Sequence, residues 1–360
     1  MQRKTKIVTI EWLFITLAWL GMYYFYFFIA FWGPSHFFHE GILKDYLSKW
    51  YVHFEMISGS ILFGILFCFI DAITDRTTIR RKSFGKIIII KSFLYLCMTF
   101  VVFLLVYGLF YLFKIGPFKN PEVLLELVNL GFIISWFLYF IFSVLLITFV
   151  IQVNKKFGPG NLLKLITGKY HKPKDECRVF LFLDLKDSTT IAEKLGHNKY
   201  SRLLQNCYHD LTDIVIKYNA DIYQYVGDEV VLSWNKKDGL KSLSSIKLYF
   251  AYKNKLKERK QFYLKHFDVF PEFKGGMDVG VVTVAEVGDI KRELAYHGDV
   301  LNTASRIQAK CKVYEEDLLI SENLEKILLK PNGFTKALVG DVNLRGKKQI
   351  IKIYSIVLLD

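Results

Sequence analysis

The chain carries two patterns of hydrophobic and polar positions, and one replaces the other near residue 153. Before that point Phe, Leu, Ile, Tyr and Trp form long runs, whereas after it charged residues alternate with short apolar runs. Crossing the hydrocarbon core of a bilayer takes about 20 apolar helical residues. Four runs reach that length and predict membrane-spanning helices at residues 7–32, 54–73, 87–113 and 127–153. The second is expected to be the weakest span, because only residues 56–70 lack charged side chains.

Lysine and arginine cluster beside the ends of these runs, and short loops rich in Lys and Arg remain cytoplasmic. The clusters comprise Arg3, Lys4, Lys6, Arg76, Arg80, Arg81, Lys82, Lys86, Lys155, Lys156, Lys164 and Lys169. Basic and acidic residues balance in the other two loops. We therefore expect a multi-pass protein of the inner membrane with both termini and the whole second half in the cytoplasm. Glu11 and Asp71 lie near the cytoplasmic span ends, where a charge is expected to reach the interface at low cost.

The pattern predicts three regions: a membrane domain at residues 1–153, a basic linker at 154–176 and a folded cytoplasmic domain at 177–360. A cleaved signal peptide is not expected, because the first run is too long for one. Pro159 and the glycines beside it are expected to end the fourth helix, since proline lacks an amide donor. The linker that follows fits either a segment lying on the inner leaflet or a helical connector.

Beyond the linker, short strands and helices interleave. Strands are predicted at residues 178–183, 221–226, 230–234, 276–282, 284–287 and 318–320, and a hairpin at 344–356. Helices are predicted at residues 189–195, 199–218, 240–266 and 301–313, with a short one after Ser321. Hairpins mixed with helices favour an α+β sandwich over a purely parallel sheet.

Neither the cysteines nor the net charge points to a site of its own. The five cysteines have no framework spacing, so no disulfide or zinc site is expected. The net charge of +14 is explained by the membrane flanks, so no nucleic acid is expected as a partner. His36, His39 and His53, beside the first outer loop, fit either a ligand site or, as we expect, ordinary interfacial residues.

Two aspartates stand where predicted strands end. Asp184 closes the run Phe182-Leu-Asp, and Asp228 lies at the turn in Val226-Gly-Asp-Glu. Such carboxylates suit Mg²⁺, which prefers carboxylate, water and phosphate oxygens. Taken alone, the two residues are equally compatible with ordinary structural roles, a helix cap for Asp184 and a turn residue for Asp228.

Two further features suit a phosphate substrate. Asp187, Ser188 and Thr189 open a predicted helix whose first amides favour bound phosphate, with the Ser188 side chain expected as the N-cap. Asn302 and Arg306 are four residues apart on another predicted helix and therefore share a face.

Taken in order, these motifs resemble the catalytic domain of class III nucleotide cyclases, the adenylate/guanylate cyclase family, and its bacterial membrane-anchored members in particular. The resemblance covers about residues 177–358 and implies a ferredoxin-like α+β domain that works as a homodimer with active sites at the interface. It further implies two Mg²⁺ or Mn²⁺ ions per site, held by Asp184, Asp228 and the main-chain carbonyl of Leu185.

The resemblance also assigns roles around the substrate. Asn302 would orient the ribose, and Arg306 would stabilise charge on the α-phosphate. Arg345 stands where the family usually carries a phosphate-clamping Lys. The base-recognition positions are Gln224 and Ala295. They depart from the family's usual side chains, which are Lys at the first position with Asp or Thr at the second for adenine, and Glu at the first position for guanine.

We therefore expect a membrane-anchored adenylate cyclase that converts ATP to 3′,5′-cyclic AMP and pyrophosphate by a two-metal mechanism. A cyclase acting on GTP or a pyrimidine triphosphate stays open as an alternative, because Gln224 and Ala295 fit no known pair. A catalytically silent nucleotide-binding membrane receptor stays open for the same reason. A transporter has little support, since the spans contain few polar residues.

Overall fold

The computed structural model describes residues 2–32, 50–76, 82–113, 130–158, 161–290, 292–328, 333–343 and 350–358. The chain divides into two compact units, Lys4–Gly160 and Asn161–Asp360. The predicted domain boundaries at residues 153 and 176 stay predictions. His36 and His39 of the histidine cluster lie outside the described residues.

The first unit contains four long helices. They are α1 (Gln2–Trp32), α2 (Trp50–Arg76), α3 (Phe84–Leu112) and α4 (Leu130–Phe157). By length and composition, each includes a stretch able to cross a membrane: Val8–Ile29, Val52–Thr74, Phe84–Val101 and Ile134–Lys156. The expectation that the second span is the weakest is wrong, because its mean hydropathy of 2.2 exceeds the 1.6 of the first.

Aromatic side chains form the interior of this unit. The indole of Trp19 stacks on Phe63 at 4.7 Å and on Phe140 at 5.1 Å between ring centroids. The ring of Phe67 stacks on Tyr95 at 3.7 Å. Helices α1, α2, α3 and α4 therefore all contribute to one packed core.

Asp71 differs from its sequence-based expectation, because it is buried among the helices rather than extended to an interface. Its side chain pairs with Lys91 of α3 and accepts a hydrogen bond of 2.8 Å from the hydroxyl of Tyr95. Lys155 of α4 lies 3.2 Å from its other carboxylate oxygen. The exposed fractions of Asp71 and Lys91 are only 7% and 2%. Opposite charges on neighbouring helices make this burial possible.

The second unit is built on a mixed sheet. Its strands are β1 (Lys174–Leu185), β2 (Asp221–Val226), β3 (Glu229–Asn235), β4 (Phe273–Val287), β5 (Glu293–His297), β6 (Leu318–Ser321), β7 (Phe334–Asn343) and β8 (Ile350–Leu358). The strand order is β2-β3-β1-β4-β6-β8-β7, with β5 paired to β4. Only β4 and β6 run parallel among the described pairs.

Helices complete the second unit. They are α5 (Asn161–Ile166), α6 (Ser188–Lys217), α7 (Lys236–Leu240), α8 (Ser244–Glu258), α9 (Lys260–Phe267), α10 (Asp299–Lys310) and α11 (Glu322–Ile327). Together with the four apolar helices of the first unit, this arrangement confirms the predicted fold class, an all-α N-terminal part followed by an α+β domain.

Several predicted boundaries need correction. The helix predicted at 240–266 is two helices, α8 and α9, divided at Arg259. Strand β4 runs without a break where two strands were predicted, and β5 was missed. The terminal hairpin is formed by β7 and β8, so it begins ten residues earlier than predicted. Two predicted helices merge into α6, with a non-helical residue at Gly196 (φ 70°, ψ 161°).

Strand β1 lies at the centre of the sheet and is buried on both faces. Leu181 and Leu183 point into the core beneath α6 and α8, whereas Phe180 and Phe182 belong to the cluster beneath α10. Because side chains alternate along a strand, Asp184 falls on the same face as Phe182. The carboxylate therefore emerges beside α10, at the end of a rigid central strand.

Candidate active site

The two predicted metal-binding aspartates come together. Asp184 is the last residue but one of β1 and lies directly opposite Glu229 of β3, and Asp228 precedes Glu229 in the turn. The carboxyl groups of Asp184 and Asp228 are close enough to share a hydrogen bond. Burial and the neighbouring Asp228 raise the pKa of Asp184 to about 6.

Glu229 is a third carboxylate beside these two. It belongs to the Val226-Gly-Asp-Glu motif, but the sequence predicted no role for it. Burial, together with Asp184 and Asp228, raises its pKa to about 7. Within the described part of the chain, however, no three His, Cys, Asp or Glu side chains converge in a geometry that would hold a metal. The described side chains of this acidic cluster therefore do not form a complete ligand set for a metal ion by themselves.

The turn that carries Asp228 is braced from helix α6. The hydroxyl of Tyr208 donates a hydrogen bond of 3.0 Å to the carbonyl of Gly227, and its ring packs on Tyr225 at 4.6 Å. Gly227 has φ +60°, a left-handed conformation that glycine adopts without steric cost. Tyr208 was not identified from the sequence, since no local motif marks a residue whose partner lies 19 positions away.

The predicted phosphate-binding segment follows β1 directly. Asp187 has φ 52° and occupies the N-cap of α6, without a hydrogen bond from its side chain to the helix. The interpretation of Ser188 as the N-cap is therefore wrong, because Ser188 is the first helical residue. The amides of Ser188 and Thr189 belong to the first turn, where a helix has no acceptors of its own. The loop between them and β1 is fixed by an ion pair of 2.5 Å between Lys186 and Asp317.

Helix α10 begins at Asp299, after Gly298, and carries Asn302 and Arg306. Asn302 is exposed and Arg306 is half-buried. Among the residues that the structure describes, neither forms an ion pair or hydrogen bond with Asp184 or Asp228. Gln308, two residues beyond Arg306, does: its amide donates a hydrogen bond of 3.1 Å to Oδ2 of Asp184. Gln308 was not identified from the sequence.

The two predicted base-recognition residues have neighbours that touch each other. Gln224 lies on β2 and is exposed, and Ala295 lies on β5 and is half-buried. The rings of the adjacent Tyr223 and Tyr296 meet edge to face at 4.8 Å, and the main-chain amide of Tyr296 donates a hydrogen bond of 3.4 Å to the Tyr223 hydroxyl. The two strands are thus brought together at this point.

Tyr296, the residue after Ala295, packs into the protein and does not offer its ring as a base-reading group. Its ring packs edge to face on Phe180 at 5.4 Å and lies 5.0 Å from the buried guanidinium of Arg178. Gln224 and His297 are exposed and remain accessible to a ligand. Arg345, the predicted phosphate clamp, lies outside the described residues.

The fold and these positions define an α+β domain with one acidic side chain near the end of a central strand and a second in the neighbouring β2–β3 turn. Residues 169–357 match the family model described as the adenylate and guanylate cyclase catalytic domain. The match covers more than half of the chain, and the chain belongs to this family.

Relatives agree with that placement, and a solved structure shares the fold. Adenylate cyclase 2 of Rhizobium meliloti (strain 1021) is 30% identical over 211 residues, which cover 58% of this chain and 58% of that protein. Adenylate cyclase 1 of the same organism is 25% identical over 188 residues, or 49% of this chain and 27% of that one. The structure of a bacterial light-regulated adenylyl cyclase aligns with a TM-score of 0.50 at 21% identity, over 58% of this chain and 61% of that one. The match covers less than two thirds of either relative.

Proposed function

We propose that this chain is a membrane-anchored adenylate cyclase that converts ATP to 3′,5′-cyclic AMP and pyrophosphate. The observation that carries the proposal is the meeting of Asp184 and Asp228 at the ends of β1 and β2, beside the first turn of α6. Family membership supports cyclisation, and the names of the relatives support ATP as the substrate.

The acidic cluster suits divalent cations, Mg²⁺ or Mn²⁺. Burial and the neighbouring carboxylates raise the pKa values of Asp184 and Glu229, so a cation beside them would favour their ionised forms. Asp184, Asp228 and the carbonyl of Leu185 would hold two ions. When bound, such ions would lower the pKa of the attacking 3′ hydroxyl and neutralise negative charge on the triphosphate.

The remaining residues act on the substrate directly. Asn302 holds the ribose and fixes the direction of the 3′ oxygen toward the α-phosphorus, which is catalysis by orientation. Arg306 and Arg345 place positive charge where negative charge develops on the phosphates. The first-turn amides of α6 at Ser188 and Thr189 hold a phosphate oxygen.

The active enzyme is a homodimer under this proposal. In one chain, the described side chains of Asn302 and Arg306 form no hydrogen bond or ion pair with Asp184 or Asp228. A second copy would supply the missing half of each site, as the family resemblance implies. Two composite sites then form at one interface.

Membrane anchoring rests on the four long apolar helices. The basic residues around Lys82 support a cytoplasmic position for that end of α3, and Phe113, just beyond its other end, would then lie on the opposite side. Reporter fusions at these two positions test the orientation, and an external reporter at Lys82 would contradict it.

A cyclase of different base preference has one observation in its favour, the pair Gln224 and Ala295. Only Gln224 carries a side chain that hydrogen-bonds, and a side-chain amide both donates and accepts. The deciding experiment offers ATP, GTP, CTP and UTP to the purified full chain with Mg²⁺ or Mn²⁺ and identifies the products. Predominant cyclic AMP supports the proposal, whereas another cyclic nucleotide would overturn the assigned substrate, and no cyclic product would overturn the assigned reaction.

A further inference from the structure

Helix α10 carries functional groups on two different faces. Asn302 and Arg306 share one face, being four residues apart. Gln308 follows Arg306 by two residues and therefore lies about 200° around the helix axis, on the far side. Its exposed fraction is 7%, whereas Asn302 is exposed. The same short helix thus presents one set of side chains outward and another toward β1.

The contact between Gln308 and Asp184 is fixed by close packing. The amide of Gln308 donates a hydrogen bond of 3.1 Å to Oδ2 of Asp184. A Cβ atom at Gly276 of β4 would collide with the backbone of Gln308 and Ala304, so α10 lies directly against the sheet here. Ala304 and Ile307 are fully buried. The amide therefore cannot leave Asp184 unless its side chain rotates or the helix moves.

The chemistry of an amide suits this place. Asp184 already has two acidic neighbours, Asp228 and Glu229. A side-chain N–H satisfies one lone pair of the carboxylate and adds no charge to the group. An ionised carboxylate accepts about four hydrogen bonds or metal contacts, so the bond from Gln308 fixes its plane and leaves other lone pairs available.

We propose that Gln308 is a positioning residue that orients the carboxylate of Asp184 for a divalent cation, and that it thereby ties this cation site to helix α10. The inference rests on the proposed function, in which Asp184 holds a metal ion. In the proposed homodimer, Asn302 and Arg306 of the same helix serve the site across the interface. One rigid helix then connects the ribose-holding and charge-stabilising groups of one site to the metal carboxylate of the other.

The test uses the full chain with Gln308→Met, which keeps the length of the side chain and removes its donor. Mn²⁺ binding is measured by loss of the free-ion electron paramagnetic resonance signal, and the Mg²⁺ concentration for half-maximal cyclase activity is measured separately. Partners that orient metal ligands typically contribute 10- to 100-fold to metal affinity or activity. We expect Mn²⁺ affinity to fall about 10-fold and the Mg²⁺ requirement to rise by a similar factor. The KM for ATP at saturating metal should change by less than about twofold, since uniform substrate binding is untouched.

Thr303→Val is the matched control, because Thr303 is a buried polar residue of the same helix whose hydroxyl faces Asp299 at 3.5 Å rather than Asp184. It should bind Mn²⁺ as the wild type does. Gln308→Ala serves as the second variant if Gln308→Met fails to fold. Wild-type Mn²⁺ affinity and Mg²⁺ requirement in a folded Gln308 variant would overturn the inference.

Asp184→Asn separates this failure from failure of the proposed function. If Asp184→Asn loses Mn²⁺ binding while Gln308→Met does not, only the role of Gln308 is wrong. If Asp184→Asn binds Mn²⁺ like the wild type, the metal site itself is wrong and the inference falls with it.

Discussion

The hydroxyl of Tyr208 on α6 donates a hydrogen bond of 3.0 Å to the main-chain carbonyl of Gly227, the residue before Asp228. The position of this carboxylate therefore depends on a helix as well as on the strands that flank its turn. Strand β1 holds Asp184 through pairing on both sides, but the turn between β2 and β3 lies at the end of a strand at the edge of the sheet. Tyr208 supplies the additional restraint there.

Tyr208→Phe should lower cyclase activity a few-fold and stability by about 1 kcal/mol, the usual contribution of a neutral hydrogen bond. The ring contact with Tyr225 is retained, so the change isolates the hydroxyl. Tyr225→Phe is the control, because the Tyr225 hydroxyl makes no hydrogen bond among the described residues. Activity assays and thermal unfolding of the two variants give the answer. If the two variants had the same activity and the same thermal stability, the Tyr208 hydroxyl would not be what positions Asp228.

Asp278 on β4 predicts a pH dependence of stability. Its carboxylate is buried, with an exposed fraction of 2%, and it accepts a hydrogen bond of 2.5 Å from the Ser321 hydroxyl. Burial raises its pKa to about 6, above the ordinary value of 3.8. The folded state therefore holds this proton to higher pH than the unfolded state does. Stability must fall as pH rises from about 4 to about 6 and stay constant above that.

Asp278→Asn should remove this loss, because an amide has the same shape and does not ionise. The gain in unfolding free energy should be up to about 3 kcal/mol above pH 7 and smaller at pH 5. Protease resistance of residues 161–360 in the full chain, measured against temperature at both pH values, reports the difference. If Asp278→Asn gained the same stability over the wild type at pH 5 as above pH 7, the assignment of the proton to Asp278 would be wrong.

The first unit should depend on the charge of Asp71. Asp71→Asn leaves Lys91 buried among the helices without its carboxylate partner, and removing one member of a buried ion pair typically costs about 3–5 kcal/mol. Unfolding of the purified chain in detergent should show a loss of this size. The double variant Asp71→Asn with Lys91→Gln should recover most of it, since the fully buried ammonium group of Lys91 is removed together with the Asp71 carboxylate.

Lys155 and Lys156 provide a matched comparison for the same network. Lys155 lies 3.2 Å from Asp71, whereas Lys156 is exposed on the same helix. Lys155→Gln should destabilise the first unit, and Lys156→Gln should not. Each of the two substitutions removes one positive charge from the same helix end. An equal loss of stability in both variants would therefore point to membrane orientation rather than to the ion pair with Asp71.

The sequence predicted the chemistry of the second unit better than its contacts. Asp184 and Asp228 were identifiable because a strand end and a Gly-Asp turn are local patterns. The contact of Gln308 with Asp184 depends on Gly276, which allows α10 to approach the sheet, and no local pattern reports that approach. Asp71 was placed at an interface because its pairing partners are 20 and 84 residues away.

Base preference should respond to restoration of the side-chain pair that the family uses for adenine. Gln224→Lys with Ala295→Asp provides a charged donor and an acceptor on two strands that already meet through Tyr223 and Tyr296. When the wrong base is bound, a buried donor or acceptor loses its hydrogen-bond partner, and each such loss costs about 1–3 kcal/mol. We expect the ratio of kcat/KM for ATP over GTP to rise at least about 10-fold relative to the wild type. The ratio is measured from initial rates with each nucleotide at the same Mg²⁺ concentration, and an unchanged ratio would show that these positions do not read the base.

The composite-site proposal makes the strongest prediction. Asp184→Ala should abolish activity by removing a metal carboxylate, and Asn302→Ala should greatly reduce it by releasing the ribose. In a heterodimer of the two variants, one interface site contains both lesions and the other contains neither, because Asp184 and Asn302 of one chain belong to different sites. Co-expression with two affinity tags isolates that heterodimer. Its cyclic AMP production should approach half of the wild-type rate if the sites are independent, whereas each parent homodimer stays inactive.

An Asp184→Ala, Asn302→Ala double variant paired with the wild-type chain is the matched control for that experiment. It carries the same two lesions in the heterodimer, but on one subunit, so each of its sites holds a single lesion and none is intact. Under the composite arrangement this control should be nearly inactive, although it contains the same total number of substitutions. If instead each chain formed a complete site by itself, the wild-type subunit would remain active in the control and the mixed single variants would remain inactive. The two heterodimers therefore reverse their order of activity between the two arrangements, and their ratio decides between them.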